Sequence, residues 1–245
     1  MDTGSRGPGD LEDLRRETFT TPSLADSGPD GLESAAAGTT GQGTGRTSHC
    51  TVGSIPLAPR KKNASRLNAW LVFLDESGFS QRPPIRATWA PRGCTPVIRE
   101  PFNWKRLSGI GAVFTTPDGQ RLRWFLAIHP GGIRAPHIVR FLHALSRHRR
   151  KPVILIWDRL PAHRSRHVQH AVQAHCSWLH TEWLPAYAPE LNPVEPFWDH
   201  LDDTVLANTP ADDLSRLRQR VHQGLRHVRR RPSIGRGFLR YTGLF

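Results

Sequence analysis

Three acidic residues stand where a folded chain usually places its chemistry. Asp75 follows the apolar run Leu71–Leu74, Asp158 follows Val153–Trp157, and Glu195 lies just after Asn192-Pro193. Two aspartates and a glutamate offer only hard oxygen donors, the set that suits Mg²⁺ or Mn²⁺. Two such ions side by side can hold both the attacking and the leaving oxygen of a phosphodiester. Without a cation, carboxylates brought this close repel one another, and one of them holds its proton more tightly. His163, a short step beyond Asp158, and Asn192, just before Glu195, are candidates to support these ligands from behind.

Each residue also has a plain structural reading. An Asp after a strand is a common turn former or helix cap. Asn192-x-x-Glu195 has capping-box spacing, with Glu195 at the third helical position. His163 can be an ordinary hydrogen-bonding loop histidine. Glu76 reads as a solvated or locally capping acid, and Glu190, Asp199, Asp202 and Asp203 read as surface acids around the helix that Asn192-Pro193 opens. The 13 histidines show no close paired spacing, which argues against zinc. Cys50, Cys94 and Cys176 form neither a CxxC motif nor an even set, so a disulfide scaffold is excluded and a reducing compartment fits.

The elements that must position the acids follow from periodicity. Leu71–Leu74 and Val153–Trp157 are continuous apolar runs, as expected of strands covered on both faces. Ile110–Phe114 and Arg121–Ile128 are strand-like and joined through Pro117-Asp118-Gly119, an Asp-Gly hairpin signal. Pro136 suits the start of a helix that buries Ile138, Phe141, Leu142 and Leu145. Ser165 can cap a helix carrying Val168, Ala171 and Val172. Trp178–Leu184 is a further strand. Asn192-Pro193 opens a helix with Val194, Phe197, Trp198, Leu201 and Val205 on one stripe, and Thr209-Pro210 opens a last one with Leu214, Leu217, Val221, Leu225 and Val228 inward. Three strands, then alternating helix and strand, then C-terminal helices predict an α/β fold: a mixed sheet flanked by helices. Ribonuclease-H-like folds have this order, and other α/β folds can be drawn from it. In an open sheet of this kind, ligands gather beyond the carboxyl ends of parallel strands, where Asp75 and Asp158 would both lie.

Composition divides the chain of 245 residues in two. Residues 1–58 carry eight acids and four Arg, ten of the 21 Gly and no Trp. They lack helical or strand periodicity apart from a possible short charged helix over 11–17, so a low-complexity, disordered segment is expected. Residues 59–245 carry 30 basic residues against 13 acids and all eight Trp, which predicts one folded domain with a full core. The net charge of +13 points to a polyanionic partner, nucleic acid before membrane. No apolar run is long enough to span a bilayer, and no secretory leader is visible. After Asp213 there is no acid, while nine Arg follow. Arg216, Arg220, Arg226, Arg229, Arg230 and Arg231 fall largely off the apolar stripe, as DNA phosphate contacts or as a solvated face. Arg147, Arg149, Arg150 and Lys151 form a second basic run. Trp89 and Trp104 could stack on bases, but core packing is the better reading for most Trp here.

Three blocks of sequence resemble a known family. They are Leu74-Asp75-Glu76-Ser77-Gly78-Phe79, Trp157-Asp158-Arg159-Leu160-Pro161-Ala162-His163, and the run from Leu184 to Trp198 containing Tyr187-Ala188-Pro189-Glu190-Leu191-Asn192-Pro193-Val194-Glu195. In this order they are similar to the DDE transposases of bacterial insertion sequences, specifically the mariner-like family IS 630, from about Lys61 onward. The third block is the most specific. The resemblance implies a ribonuclease-H-like catalytic domain in which Asp75, Asp158 and Glu195 carry two Mg²⁺ (or Mn²⁺). It implies metal-dependent strand cleavage and strand transfer at transposon ends, with TA dinucleotides as targets. The implied partner is double-stranded DNA, both transposon ends and target, held by a homodimer in the bacterial cytoplasm at the nucleoid. Two departures stand out. Arg159 occupies a position where many members have Asn. Members also carry N-terminal helix-turn-helix modules, for which residues 1–58 have neither the periodicity nor the charge. A gene truncated or out of frame at its 5′ side is therefore expected, with an inactive remnant that only binds DNA through its Arg-rich surface as the alternative.

Overall fold

The computed structural model describes residues 57–100, 102, 104–148 and 151–245. The disorder expected over 1–58 and the helix over 11–17 lie outside these residues, except that Leu57 and Ala58 open a helix, α1 (Leu57–Arg66), that periodicity did not predict. Arg149 and Arg150 of the second basic run also lie outside them.

The two continuous apolar runs become the centre of a sheet. Its strands are β1 (Trp70–Ser80), β2 (Arg106–Thr115), β3 (Leu122–Pro130), β4 (Val153–Trp157) and β5 (Leu179–Trp183). They lie in the order β3-β2-β1-β4-β5. β1, β2 and β3 are antiparallel neighbours, whereas β1, β4 and β5 run parallel. The hairpin joining β2 to β3 turns where Asp118-Gly119 predicts it: Gly119 has φ 74° and its N–H donates to the Thr116 carbonyl at 2.8 Å. This mixed sheet, covered on both faces, is the ribonuclease-H-like arrangement.

Both faces of the central strands are apolar because both are covered. On one side Val72, Leu74, Leu155 and Trp157 meet α2 (Ala135–His148) and α3 (Arg166–Ala174). Ser165 caps α3 as expected, its hydroxyl accepting from Val168 N at 3.4 Å. On the other side Leu71, Phe73, Ile154 and Ile156 meet α1 together with α4 (Glu195–Leu201) and α5 (Leu214–Arg230). α4 runs on into a single π-helical turn, Asp202–Leu206. α5 is capped by Asp213, whose carboxylate accepts from Arg216 N at 2.7 Å, so it starts later than Thr209-Pro210 suggests. A further helix, α6 (Pro232–Tyr241), packs against Trp124 through Phe238. None of the helices among the described residues is long and apolar enough to cross a membrane.

Two expectations change. β1 does not end at Leu74. Its pairing with β4 stops at Phe73↔Ile156, but β2 pairs with it from Leu71↔Thr115 to Ser80↔Arg106 and keeps it extended through Asp75 and Glu76. Trp89 and Trp104 are not core residues: in the connection between β1 and β2, Trp89 is fully exposed, and Trp104 lies under the Arg82 guanidinium at 3.8 Å.

Candidate active site

Parallel pairing brings the two aspartates together. Asp75 continues the side of β1 that carries Leu71 and Phe73, and Asp158 follows a strand whose Ile154 and Ile156 face the same way. That face is the one α4 covers, and Glu195 is the first residue of α4. The structure thus brings Asp75, Asp158 and Glu195 to one cleft of about 150 Å³, closed by Asn192 and the turn from Leu184 to Pro189. A wider groove between α2 and α3 is lined by Arg140, Arg166 and three histidines, and holds no carboxylate.

Asp75 is the most enclosed of the three, only 8% exposed. One turn into α4, Trp198 aims its indole N–H at Oδ2 of Asp75, 2.9 Å away. Burial, and then the negative charges of Glu195 and Glu76, push the Asp75 carboxyl up to about 8, against the pull of the indole. Glu195 is half-buried and also held above its ordinary value, first by burial and then by Asp199 and Asp158. Such a cluster stays fully ionised only with positive charge close by. The cleft offers carboxylate oxygens to a cation and no sulfur or imidazole ligand facing it, which fits a hard divalent ion.

Asn192 does not form the expected capping box. It is 2% exposed; its amide N–H donates to the Leu74 carbonyl at 3.4 Å, and its oxygen accepts from Val194 N at 3.2 Å. The Leu74 carbonyl lies past the last β1–β4 pair, so the amide finds an acceptor there that the local helix cannot offer. A 3₁₀ turn, Pro189–Leu191, precedes it, and α4 begins at Glu195 without a side-chain cap. Asn192 therefore ties the turn carrying Glu195 to the strand carrying Asp75.

His163 is 1% exposed, with Nδ1 2.7 Å from Oδ1 of Asp158. Burial opposes its charge, yet the hydrogen bonds to Asp158 and Glu76 outweigh it and raise the imidazole to about 10. Glu76 is consequently neither solvated nor a local cap: its Oε1 lies 2.9 Å from Nε2 of His163. The extended course of β1 past Asp75 turns Glu76 to the opposite face from its neighbour. Sequence reasoning missed Glu76 and Trp198 in these roles. A buried indole N–H needs an acceptor, which is the signal Trp198 offered; Glu76 offered none until the strand was known to continue.

The arginines predicted to meet DNA do not form one patch. Arg216, Arg226, Arg230 and Arg231 are exposed. Arg220 instead donates to the carbonyls of Thr209 and Pro210 at 2.5 and 2.8 Å, and Arg229 donates to the Trp124 carbonyl. The approach to α5 is fastened beside the end of β1, where Gln81 Nε2 donates to the Ala211 and Asp212 carbonyls at 3.1 and 3.0 Å. Arg216 thus stands at the cleft end of the sheet, and Arg230 and Arg231 at the opposite end, near the start of β3.

A comparison with curated protein sequences gives no match. Among solved structures the chain is similar to the Mos1 strand transfer complex, at 19% identity over 76% of this chain and 58% of that one, with a TM-score of 0.48. It is similar to the Mos1 mariner paired end complex with Mn, at 20% identity over 76% of this chain and 60% of that one, with a TM-score of 0.46. For the catalytic domain of Mos1 mariner transposase the values are 18% identity, 77% of this chain, 91% of that one and a TM-score of 0.41. The chain spans about 60% of the length of the Mos1 transposase chains in the paired-end complexes. The family model described as DDE superfamily endonuclease matches residues 70–218, from the first residue of β1 into α5, and the chain belongs to that family.

Proposed function

We propose that this chain is a transposase catalytic domain of the mariner-like bacterial insertion-sequence type (IS 630) that cuts and joins DNA strands at transposon ends. The observation that carries the reading is the convergence of Asp75, Asp158 and Glu195, from β1, the end of β4 and the start of α4, on one cleft. In this reading the three are the catalytic carboxylates and hold two Mg²⁺ or Mn²⁺ ions. Bound there, the ions would activate the attacking oxygen, from water in cleavage and from a 3′-hydroxyl in joining, and stabilise the leaving 3′-oxygen.

The chain's own residues do the positioning. Trp198 holds one oxygen of Asp75 so that the other is presented to the cleft. Asn192 keeps the Glu195 turn against β1. Exposed Arg216 at the cleft end would meet duplex phosphates, with Arg226, Arg230 and Arg231 extending the contact along α5. The catalytic unit is residues 59–245, preceded by the low-complexity segment. The partners are double-stranded DNA, as transposon ends and target, and a second copy of the chain. The place of action is the bacterial cytoplasm at the nucleoid.

The test is nicking of duplex DNA with Mg²⁺ or Mn²⁺. Asp75→Ala, Asp158→Ala and Glu195→Ala are each expected to abolish it while DNA binding persists. Salt-sensitive binding without metal-dependent cleavage by the unaltered chain would mark a remnant that only binds DNA. Cleavage of RNA–DNA hybrids regardless of transposon ends would mark a nuclease of another role.

A further inference from the structure

The face of the sheet opposite the cleft carries a second piece of machinery. His163 sits there with its two ring nitrogens engaged at once, Nδ1 by Asp158 at 2.7 Å and Nε2 by Glu76 at 2.9 Å. Nδ1 also lies 3.1 Å from the Asp158 carbonyl oxygen. The ring is stacked on Trp157 at 4.5 Å between centroids and 19° between planes, and Trp157 is stacked in turn on Trp183. The ring can neither flip nor tilt without breaking one of these contacts.

One ligand atom from each of Glu76, Asp158 and His163 can be chosen within 4.8 Å of the others, as in a metal site. The geometry is that of a bridge instead. The two ring nitrogens point apart, and each already meets a different carboxylate at hydrogen-bond distance. Nor is the arrangement an efficient way to stabilise the fold. Oε2 of Glu76 is buried without a hydrogen-bond partner among the described residues, a cost that a purely structural residue has no reason to bear.

Asp158 shows what the bridge acts on. Its Oδ1 accepts from Leu160 N at 3.1 Å and lies against His163, while the side chain remains 40% exposed. One oxygen is thus committed away from the solvent, and the other is left for the cleft. We infer that His163, braced by Glu76 from the far face of the sheet, is a positioning residue that holds Asp158 in the rotamer presenting its second oxygen to the cleft. This rests on the reading of Asp158 as a metal ligand. Asp158 stands beyond the end of β4, where no pairing fixes its side chain, so a rigid partner is what a precise ligand there requires.

Two substitutions split the bridge. The amide nitrogen of Asn lies close to where Nδ1 of His sits, and that of Gln close to Nε2. His163→Asn keeps a donor to Asp158 and gives up Glu76; His163→Gln keeps Glu76 and gives up Asp158. Both lose the ring stacked on Trp157, so a role in packing alone predicts equal effects. The measurements are Mn²⁺ binding by electron paramagnetic resonance, melting temperature, and Mn²⁺-dependent nicking of duplex DNA, all on the full chain. His163→Gln is expected to weaken Mn²⁺ binding by about 10-fold or more, lowering kcat with KM for DNA unchanged, and His163→Asn to weaken it several-fold less at a similar melting temperature. Glu76→Ala leaves the ring in place and removes its brace, and is also expected to weaken Mn²⁺ binding; it keeps the test open if the His163 variants do not fold.

Equal Mn²⁺ affinity in the two His163 variants overturns the positioning role, and unchanged affinity in Glu76→Ala overturns the brace. In either case the metal site stands if the unaltered chain binds Mn²⁺ and Asp158→Ala does not. An unaltered chain that binds Mn²⁺ no better than Asp158→Ala overturns both readings together.

Discussion

Gly111 lies directly across the β1–β2 ladder from Asp75, and its missing side chain is what lets Trp198 reach that carboxylate. A Cβ built at Gly111 would stand 2.6 Å from the Trp198 ring and 3.1 Å from Val194. The indole therefore occupies the space that a side chain at this position would need. Trp198 is buried and also packs edge-on against Phe79 at 5.8 Å, which limits how far the ring can shift.

Gly111→Ala should consequently act on both the fold and the site. Overpacking of this kind costs about 1–3 kcal/mol, and urea denaturation should show a loss in that range. Metal-dependent nicking should fall further than the stability loss alone accounts for, because Trp198 is displaced from Asp75. A variant with unchanged midpoint and activity would mean that the ring is not held where it is described.

The buried carboxyl of Asp75 makes a prediction about pH. Its folded value of about 8 exceeds the ordinary 3.8, so the unfolded chain releases this proton first. The stability this group contributes is present below about pH 4 and is lost as pH rises through about 8. With chelator present, Asp75→Asn should therefore melt above the unaltered protein at about pH 9, and the difference should vanish near pH 4. Adding Mn²⁺ should raise the melting temperature of the unaltered protein and leave Asp75→Asn unmoved.

His129 gives the opposite slope. Burial, followed by the positive neighbours His137, Arg140 and Arg218, depresses its imidazole to about 4 from 6.5. Between those values the unfolded chain binds a proton that the folded chain refuses, so stability is full above about 6.5 and falls as pH drops toward 4. His129→Gln should reduce this acid-side slope in urea midpoints. Some slope should persist, because burial also lowers His137 and His222. An unchanged slope in the variant would place the titration elsewhere.

The arginines of α5 should separate by function. Arg220 holds two backbone carbonyls, and Arg220→Ala should cost roughly 1 kcal/mol or more of stability. Arg230 is exposed, and Arg230→Ala should leave the melting temperature unchanged. If Arg230 meets a phosphate, the same substitution should reduce the slope of log affinity for duplex DNA against log salt by about 0.9.

The two aspartates were legible because each follows a run of apolar residues, and such a run specifies a buried strand whatever surrounds it. Glu195 was legible from the motif around Asn192-Pro193, but its local reading was wrong. Capping-box spacing concerns a helix in isolation, whereas the Asn192 amide found the Leu74 carbonyl, far away along the chain, and α4 began without it. The arginine cluster looked continuous because charge was counted along the chain. Hydrogen bonds to Thr209, Pro210 and Trp124 divided it.

By itself the sequence determined which segments are buried, the hairpin at Asp118-Gly119, the order of the five strands with the helices between them, and three candidate acids at element ends, since each depends on side-chain type and short-range spacing. Tertiary structure alone decided how far β1 extends, because that depends on pairing with β2 and not on its own residues. From that one extension follow the opposite facings of Asp75 and Glu76, the indole over Gly111, and the imidazole between two carboxylates. Pairing partners distant along the chain leave no mark on local periodicity, so these contacts exist only once the sheet has closed.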